Sequence, residues 1–411
     1  MQKYYQKYAR LMLQAGVNLQ PGQKLHLSME AYHLPFGNVL VEEAYKLGAS
    51  FVLLETPHPA QLAARVKHSG EEHLDYVPSW IAERSREMVE DKWARLSFSG
   101  SIDPDLNASL DQNRLSSVQS ALRKAAKPIA RACGAGDMAW AGAALPTPAW
   151  AAKVFPEAPP EEAEDLLWEA MAEILHLNHD DPSQLWKEIG SNTIARGQKL
   201  NSLNLAKVHF KGPGTDLHVP CLPNSIWIGG GISSSVGYSF IPNIPTFENF
   251  TTPDFRGTHG SMKVTCPVAV LGTSVEGAWF TFENGKVTDY GAEKNKQALD
   301  QMFSICPQAA YLGELALVDG SSPIFRSGRT FHSVLYDENA TCHVALGSAY
   351  ASAVTGTEGK SDEELLEMGV NVSLLHHDFM IGSEQVDVDG ITATGEVIPL
   401  IRNGLYTDVV S

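Results

Sequence analysis

Lys24-Leu-His-Leu-Ser-Met29 alternates apolar and polar residues, and Pro35 to Leu47 recurs at helical spacing with Gly48 placed to cap its end. Ser50-Phe-Val-Leu-Leu-Glu55 is then a short apolar run closed by Thr56-Pro57. A strand buries one side at every second residue, whereas a helix buries a stripe every third or fourth, so the two patterns are distinguishable by period. Strand, helix and strand at this spacing form a βαβ unit. The N-terminal half is therefore expected to contain a parallel sheet. No glycine fingerprint opens the helix: Glu30-Ala-Tyr-His-Leu-Pro35 is not G-x-G-x-x-G, which disfavours a dinucleotide site.

Working outward, residues 3 to 15 read as a helix through Tyr4, Tyr5, Tyr8, Leu11 and Met12, ended by Asn18-Leu-Gln-Pro-Gly22. Ala82 to Trp93 and Ser116 to Ala132 also read as helices, with a strand at Leu96-Ser-Phe-Ser-Gly100 between them. Ala139 to Pro148 is a small-residue strand ending in a rigid turn. A helix follows from Pro159, its Glu161, Glu162 and Glu164 suited to the positive end of the dipole, and another starts near Asp180. Trp140, Trp150, Trp168 and Trp186 are expected to pack the core rather than to form a ligand platform.

From about residue 200 helical periodicity fades, and short strands separated by Gly, Pro and Asn take over. They are expected at Ala206–Phe210, Asp216–Val219, Val264–Leu271, Trp279–Phe282, Tyr311–Val318 and Val370–Leu375. Glu283-Asn-Gly-Lys286 carries a type I′ hairpin signal. The expected architecture is an N-terminal α/β domain (1–200) with a parallel sheet and helices, and a strand-rich C-terminal α+β domain (201–411). Its 411 residues exceed what one core usually supports, which agrees with two domains.

The net charge of −17 disfavours sequence-independent nucleic-acid binding and docking on an anionic membrane. Five scattered cysteines without a Cys-x-x-Cys pair read as free thiols in a reducing compartment. The first residues contain no apolar signal region, and no apolar run reaches the length of a membrane span. A cytoplasmic location is the expectation.

Four places in the second half offer carboxylate or imidazole beside small or turn-forming residues. Glu248 stands alone in Asn243-Ile-Pro-Thr-Phe-Glu-Asn-Phe-Thr-Thr-Pro253, and Glu314 interrupts the apolar run Leu312–Leu317. A carboxylate is costly to bury there unless it is paired or bound to a metal. The third place runs from Asp337-Glu-Asn-Ala-Thr-Cys-His343 to Tyr350, and the fourth is His376-His-Asp378. Two apart on a strand, His376 and Asp378 share a face, with His377 on the other. No H-E-x-x-H helix is present.

These places, in this order, resemble the thermophilic aminopeptidase family of metallopeptidases. The longest matching strings are Leu-Tyr-Asp-Glu-Asn-Ala-Thr-Cys-His-Val-Ala-Leu-Gly-Ser-Ala-Tyr (335–350) and Ser-Leu-Leu-His-His-Asp-Phe-Met-Ile-Gly (373–382). The resemblance implies a dimeric, two-domain aminopeptidase that acts on peptides with a free N-terminus, through a water activated by two divalent metal ions in the C-terminal domain. Zinc, cobalt or manganese all suit such a mixed oxygen and nitrogen ligand set. It further implies Glu248, Glu314, His343, His376 and Asp378 as metal ligands, with Glu248 or Glu314 shared between the ions. Glu338 would be the general base, and Tyr350 would sit at the site as a phenolate ligand or as a hydrogen-bond donor. One departure stands out: the family usually carries two consecutive glutamates after Pro-Thr, and here Phe247 precedes Glu248. That leaves open a hydrolase of another substrate class, or a catalytically silent relative that binds metal or peptide.

Overall fold

The computed structural model describes residues 2–104, 106–235 and 237–411, with Ala108 as backbone only. The chain divides into two compact units, Met1–Glu188 with Gly231–Pro245 and Ile189–Gly230 with Thr246–Ser411.

In the first unit, strands β1 (Lys24–Ser28), β2 (Phe51–Glu55), β3 (Ala94–Ser99) and β4 (Trp140–Ala144) form a sheet in the order β2-β1-β3-β4, parallel throughout. The parallel sheet expected from the βαβ pattern is present, with the helix Leu34–Lys46 as its first crossover. The core is rich in aromatic rings. Tyr8, Phe36, Phe98 and Trp168 pack edge-on or tilted at 5.4–6.2 Å, and the buried Tyr8 hydroxyl donates to Ala144 O. Trp168 and Trp186 are buried, and Trp186 Nε1 donates to Leu175 O, so both serve packing. The expected helix Ser116–Ala132 is instead two, Gln112–Ala125 and Lys127–Gly134. Pro128 has no N–H to give to an upstream carbonyl, so the chain restarts there with the proline in the first turn.

The second unit contains β5 (Leu205–Gly212), β6 (Thr215–Pro220), β7 (Asn249–Thr251), β8 (His259–Lys263), β9 (Trp279–Glu283), β10 (Lys286–Gly291), β11 (Leu312–Leu317), β12 (His343–Gly347), β13 (His376–Met380), β14 (Asp387–Thr392), β15 (Val397–Arg402) and β16 (Leu405–Tyr406). They build an eight-stranded sheet, β10-β9-β8-β6-β5-β14-β15-β16, and a four-stranded sheet, β13-β12-β11-β7, with antiparallel pairing. Val208, Phe210, Leu217 and Phe280 from the first sheet and Leu315, Val344, Leu346 and Phe379 from the second share one buried core. The hairpin at Asn284-Gly285 forms as expected, with both residues at positive φ (50° and 82°).

Two expected strands differ. Within 264–271 only Val268–Val270 is regular, since Pro267 offers no N–H and Thr265 N is spent on Met380 O. The expected strand Val370–Leu375 is loop, and the strand begins at His376. Asn371 Nδ2 bonds to the carbonyls of Gln308, Tyr311 and Gly347, so a side chain takes acceptors that a ladder would use.

Candidate metal centre

The four-stranded sheet sorts its side chains by parity. Glu314, Ala345 and Asp378 are partners across β11, β12 and β13, and Ala316, His343 and Met380 form the next row. Partners in an antiparallel sheet point to the same face, as do residues two apart. Glu314, His343, His376 and Asp378 therefore all face one way, while Leu315, Val344, Leu346 and Phe379 face the core. Small residues (Ala316, Ala345, Gly347) keep the polar face open between them. Glu248 immediately precedes β7 and joins the cluster from that side.

A β-bulge puts Glu314 there. Register shifts between Leu312, opposite Leu346, and Glu314, opposite Ala345, so Gly313 is the extra residue. Leu312 thus packs in the core while Glu314 turns to the polar face. A Cβ on Gly313 would lie 2.4 Å from the carbonyl oxygens of Gly347 and Ser348, so the bulge demands glycine.

The ligand atoms converge. His343 Nε2 lies 3.3 Å from Glu248 Oε2 and 4.0 Å from Glu314 Oε1, and His376 Nε2 lies 3.0 Å from Glu314 Oε2 and 3.3 Å from Asp378 Oδ1. The result is two groups of three, Glu248–Glu314–His343 and Glu314–His376–Asp378, with Glu314 in both. Each imidazole is oriented from behind: His376 Nδ1 is 2.7 Å from Ser348 O and His343 Nδ1 is 3.3 Å from Thr341 O. A carbonyl can only accept, so Nδ1 carries the proton in both rings and Nε2 turns to the carboxylates. Glu248 Oε2 and Asp378 Oδ1 are buried without a hydrogen-bond partner.

Four carboxylates and two imidazoles in so small a volume perturb one another. Burial pulls His343 and His376 down, but the carboxylates outweigh it, led by Glu248 for the first and Asp378 for the second, and hold them up at about 10 and about 11. Burial pushes Glu314 above the ordinary carboxylate range, and burial with Glu248 and Asp378 pushes Glu338 well above it. Asp378 stays below its ordinary value: burial opposes ionisation, and His376 and then His343 favour it more. Such a desolvated excess of negative groups is costly without a cation among them.

Around the cluster, Asn339 Oδ1 accepts from Phe247 N at 2.7 Å, and its Nδ2 reaches Leu335 O at 3.2 Å and Glu338 Oε1 at 3.4 Å. Fully buried, it ties the turn carrying Glu248 to the turn carrying Glu338. Sequence reasoning missed it, although it lies within the matched string. The Tyr350 ring packs against His376 (5.0 Å) and Phe250 (5.2 Å). Burial, then the Glu314 and Asp378 carboxylates, raise its phenol above the ordinary value. Asp337, which the sequence leaves between anchoring a turn and receiving a substrate amine, spends its two oxygens on Phe331 N and Ser333 N. His377 faces away, its Nε2 accepting from Leu271 N. Beside Glu338 and Asp378 a pocket of about 40 Å³ is walled by Val268, Ala269, Val334 and Met380.

These features describe a candidate centre for divalent metal. The chain matches the thermophilic metalloprotease (M29) family over residues 1–406 and belongs to it. It is a peptide hydrolase. It is 37% identical over 400 residues to aminopeptidase PepS of Streptococcus thermophilus (97% of each chain), and 36% identical over 402 residues to aminopeptidase T of Thermus aquaticus (97% of each). Its structure matches that of wild-type AmpT from Thermus thermophilus with a TM-score of 0.89 at 34% identity, covering 99% of both chains. The family implies a divalent metal, and the residues present fit one. Two buried carboxylate oxygens lack hydrogen-bond partners, and carbonyls behind Nδ1 aim both imidazoles with Nε2 toward the carboxylates.

Proposed function

We propose that this peptide hydrolase is an aminopeptidase acting with two divalent ions, zinc, cobalt or manganese, held by Glu248, Glu314, His343, His376 and Asp378. The observation that carries the proposal is the pair of ligand triads joined at Glu314, which supports Glu314, of the two carboxylates open from sequence, as the shared one. When bound, such a pair polarises the scissile carbonyl and makes water a stronger nucleophile near neutral pH. Glu338 takes the proton of the attacking water and passes it to the leaving amine, a role that its position beside the ligand cluster supports; burial, then Glu248 and Asp378, raise its carboxyl above the ordinary value. Asn339 positions it. Tyr350 donates its hydroxyl hydrogen to the carbonyl oxygen as negative charge develops there. The pocket beside Glu338 and Asp378, with Val268, Ala269, Val334 and Met380 in its lining, receives the first side chain of the peptide.

A panel of aminoacyl-anilides and their N-acetylated counterparts tests this. Metal-loaded protein should cleave only the free amines and lose activity to chelator; failure on every free-amine substrate sinks the proposal. Glu338→Gln should keep its metal and lose roughly 10²–10⁴-fold in kcat. A second reading keeps the peptide hydrolase and lets Phe247, where the family usually has a glutamate, restrict its activity. If Phe247→Glu creates activity on the panel that the natural chain lacks, that reading replaces the first.

The same proposal includes a homodimer in the cytoplasm. Free cysteines support a reducing compartment, and among the described residues no helix is long and apolar enough to cross a membrane. Light scattering should return twice the mass of one chain.

A further inference from the structure

Away from the metal centre, the eight-stranded sheet of the second unit carries a row of imidazoles. Register pairs His209 of β5 with His218 of β6, and His218 with His259 of β8. Three histidines thus stand side by side on three adjacent strands. They lie on the outward face, since Val208, Phe210, Leu217 and Val219 between them are buried. The rings are stacked, with centroids 3.9 Å apart for His209 and His218 and 4.6 Å apart for His218 and His259, each pair 10° from parallel.

Asp216 precedes His218 by two residues and shares that face. Its Oδ1 lies 2.7 Å from His209 Nε2 and 3.7 Å from His218 Nε2. One ligand atom from each of His209, Asp216 and His218 lies within 4.8 Å of the others. An ordinary surface ion pair accounts for His209 and Asp216 but leaves His218 unexplained. Its Nδ1 is buried without a hydrogen-bond partner, and its Nε2 is too far from Asp216 for a hydrogen bond.

We propose that His209, Asp216 and His218 form a second, surface site for a borderline divalent transition ion such as Zn²⁺, Ni²⁺ or Cu²⁺, with the His259 ring as its outer wall. Two imidazoles and one carboxylate select these ions over magnesium and calcium, which take oxygen ligands. The torsion that turns an imidazole about its Cβ–Cγ bond is broad, so the two rings can leave their stack and turn their nitrogens toward a common point. The ion would tie β5 to β6 across their shared hairpin. None of its ligands belongs to the metal centre, so its occupancy is independent of catalysis.

Calorimetric titration of the full-length, metal-loaded protein with Ni²⁺ tests the site. The natural chain should bind one more equivalent than the His209→Asn/His218→Asn variant, while peptidase activity stays unchanged in both. Extra Ni²⁺ should raise the thermal midpoint of the natural chain alone. Asp216→Asn, at an exposed position, guards against misfolding of the double variant; it should weaken this binding at least about tenfold, as the loss of an outer partner alone can do. Equal stoichiometry in the natural chain and the double variant overturns the proposal. So does a Ni²⁺-soaked crystal whose anomalous peaks all lie away from His209 and His218.

Discussion

Asn339 makes a case for reading single residues by their hydrogen bonds. With no titratable group it offers nothing to a search for ligands, yet it is fully buried and satisfies Phe247 N beside Glu248. Asn339→Ala should orphan that N–H, cost about 1–3 kcal/mol of stability and lower metal content, read by thermal melting and metal analysis. Unchanged metal content would remove its positioning role. Glu43 in the first unit gives a pH prediction. Burial alone would raise its carboxyl, but Arg10, Gln6 and Lys46 outweigh burial and bring it down to about 2. A folded pKa below the ordinary 4.5 stabilises the protein above that value, and the contribution is lost as pH falls toward 2. Arg10 and Lys46 are half-exposed, so screening leaves about 1–2 kcal/mol. The midpoint difference between the natural chain and Glu43→Gln should be full at pH 7 and vanish near pH 2; a difference constant with pH contradicts it. The ligand types were legible because a carboxylate inside an apolar strand has few other uses. Asn339 was not, because a buried amide shows its purpose only through its partners.

At the level of elements, the strand-helix-strand spacing of residues 24–55 was enough to reveal the parallel sheet, although β1 buries both faces, with Leu25, His26 and Leu27 all buried. The bulge at Gly313 was beyond such reading. Leu-Gly-Glu in an apolar run has the parity of a plain strand, and only the register with β12 reveals the extra residue, at a point where Gly347 O and Ser348 O leave no room for a side chain. Gly313→Ala should therefore do more than an ordinary glycine substitution: a loss on the order of 1–3 kcal/mol from crowding, with activity falling further because Glu314 is displaced. Natural activity in a stable Gly313→Ala variant would show that the bulge does not aim Glu314. The expected strand at 370–375 failed for a related reason. Its apolar residues look like a ladder, but the Asn371 side chain competes for the carbonyls.

Across the whole molecule, every residue of the proposed centre lies in the second unit, gathered from strands and turns between Glu248 and Asp378. The strands of one sheet bring together residues far apart in sequence, which is why no single local motif holds the whole ligand set. Because ions that bind only the folded state stabilise it by mass action, chelation should lower the thermal midpoint as well as abolish activity. The stability at stake is about 4 kcal/mol when free metal exceeds Kd a thousandfold. Re-addition of metal should restore both. The most direct measurement is anomalous diffraction from crystals of the metal-loaded enzyme. Two peaks are predicted on the polar face of β11–β13, one within about 2.0–2.2 Å of Glu248, Glu314 and His343 and the other equally close to Glu314, His376 and Asp378. A single ion there, or two ions with Glu314 outside ligand distance of either, would contradict the account.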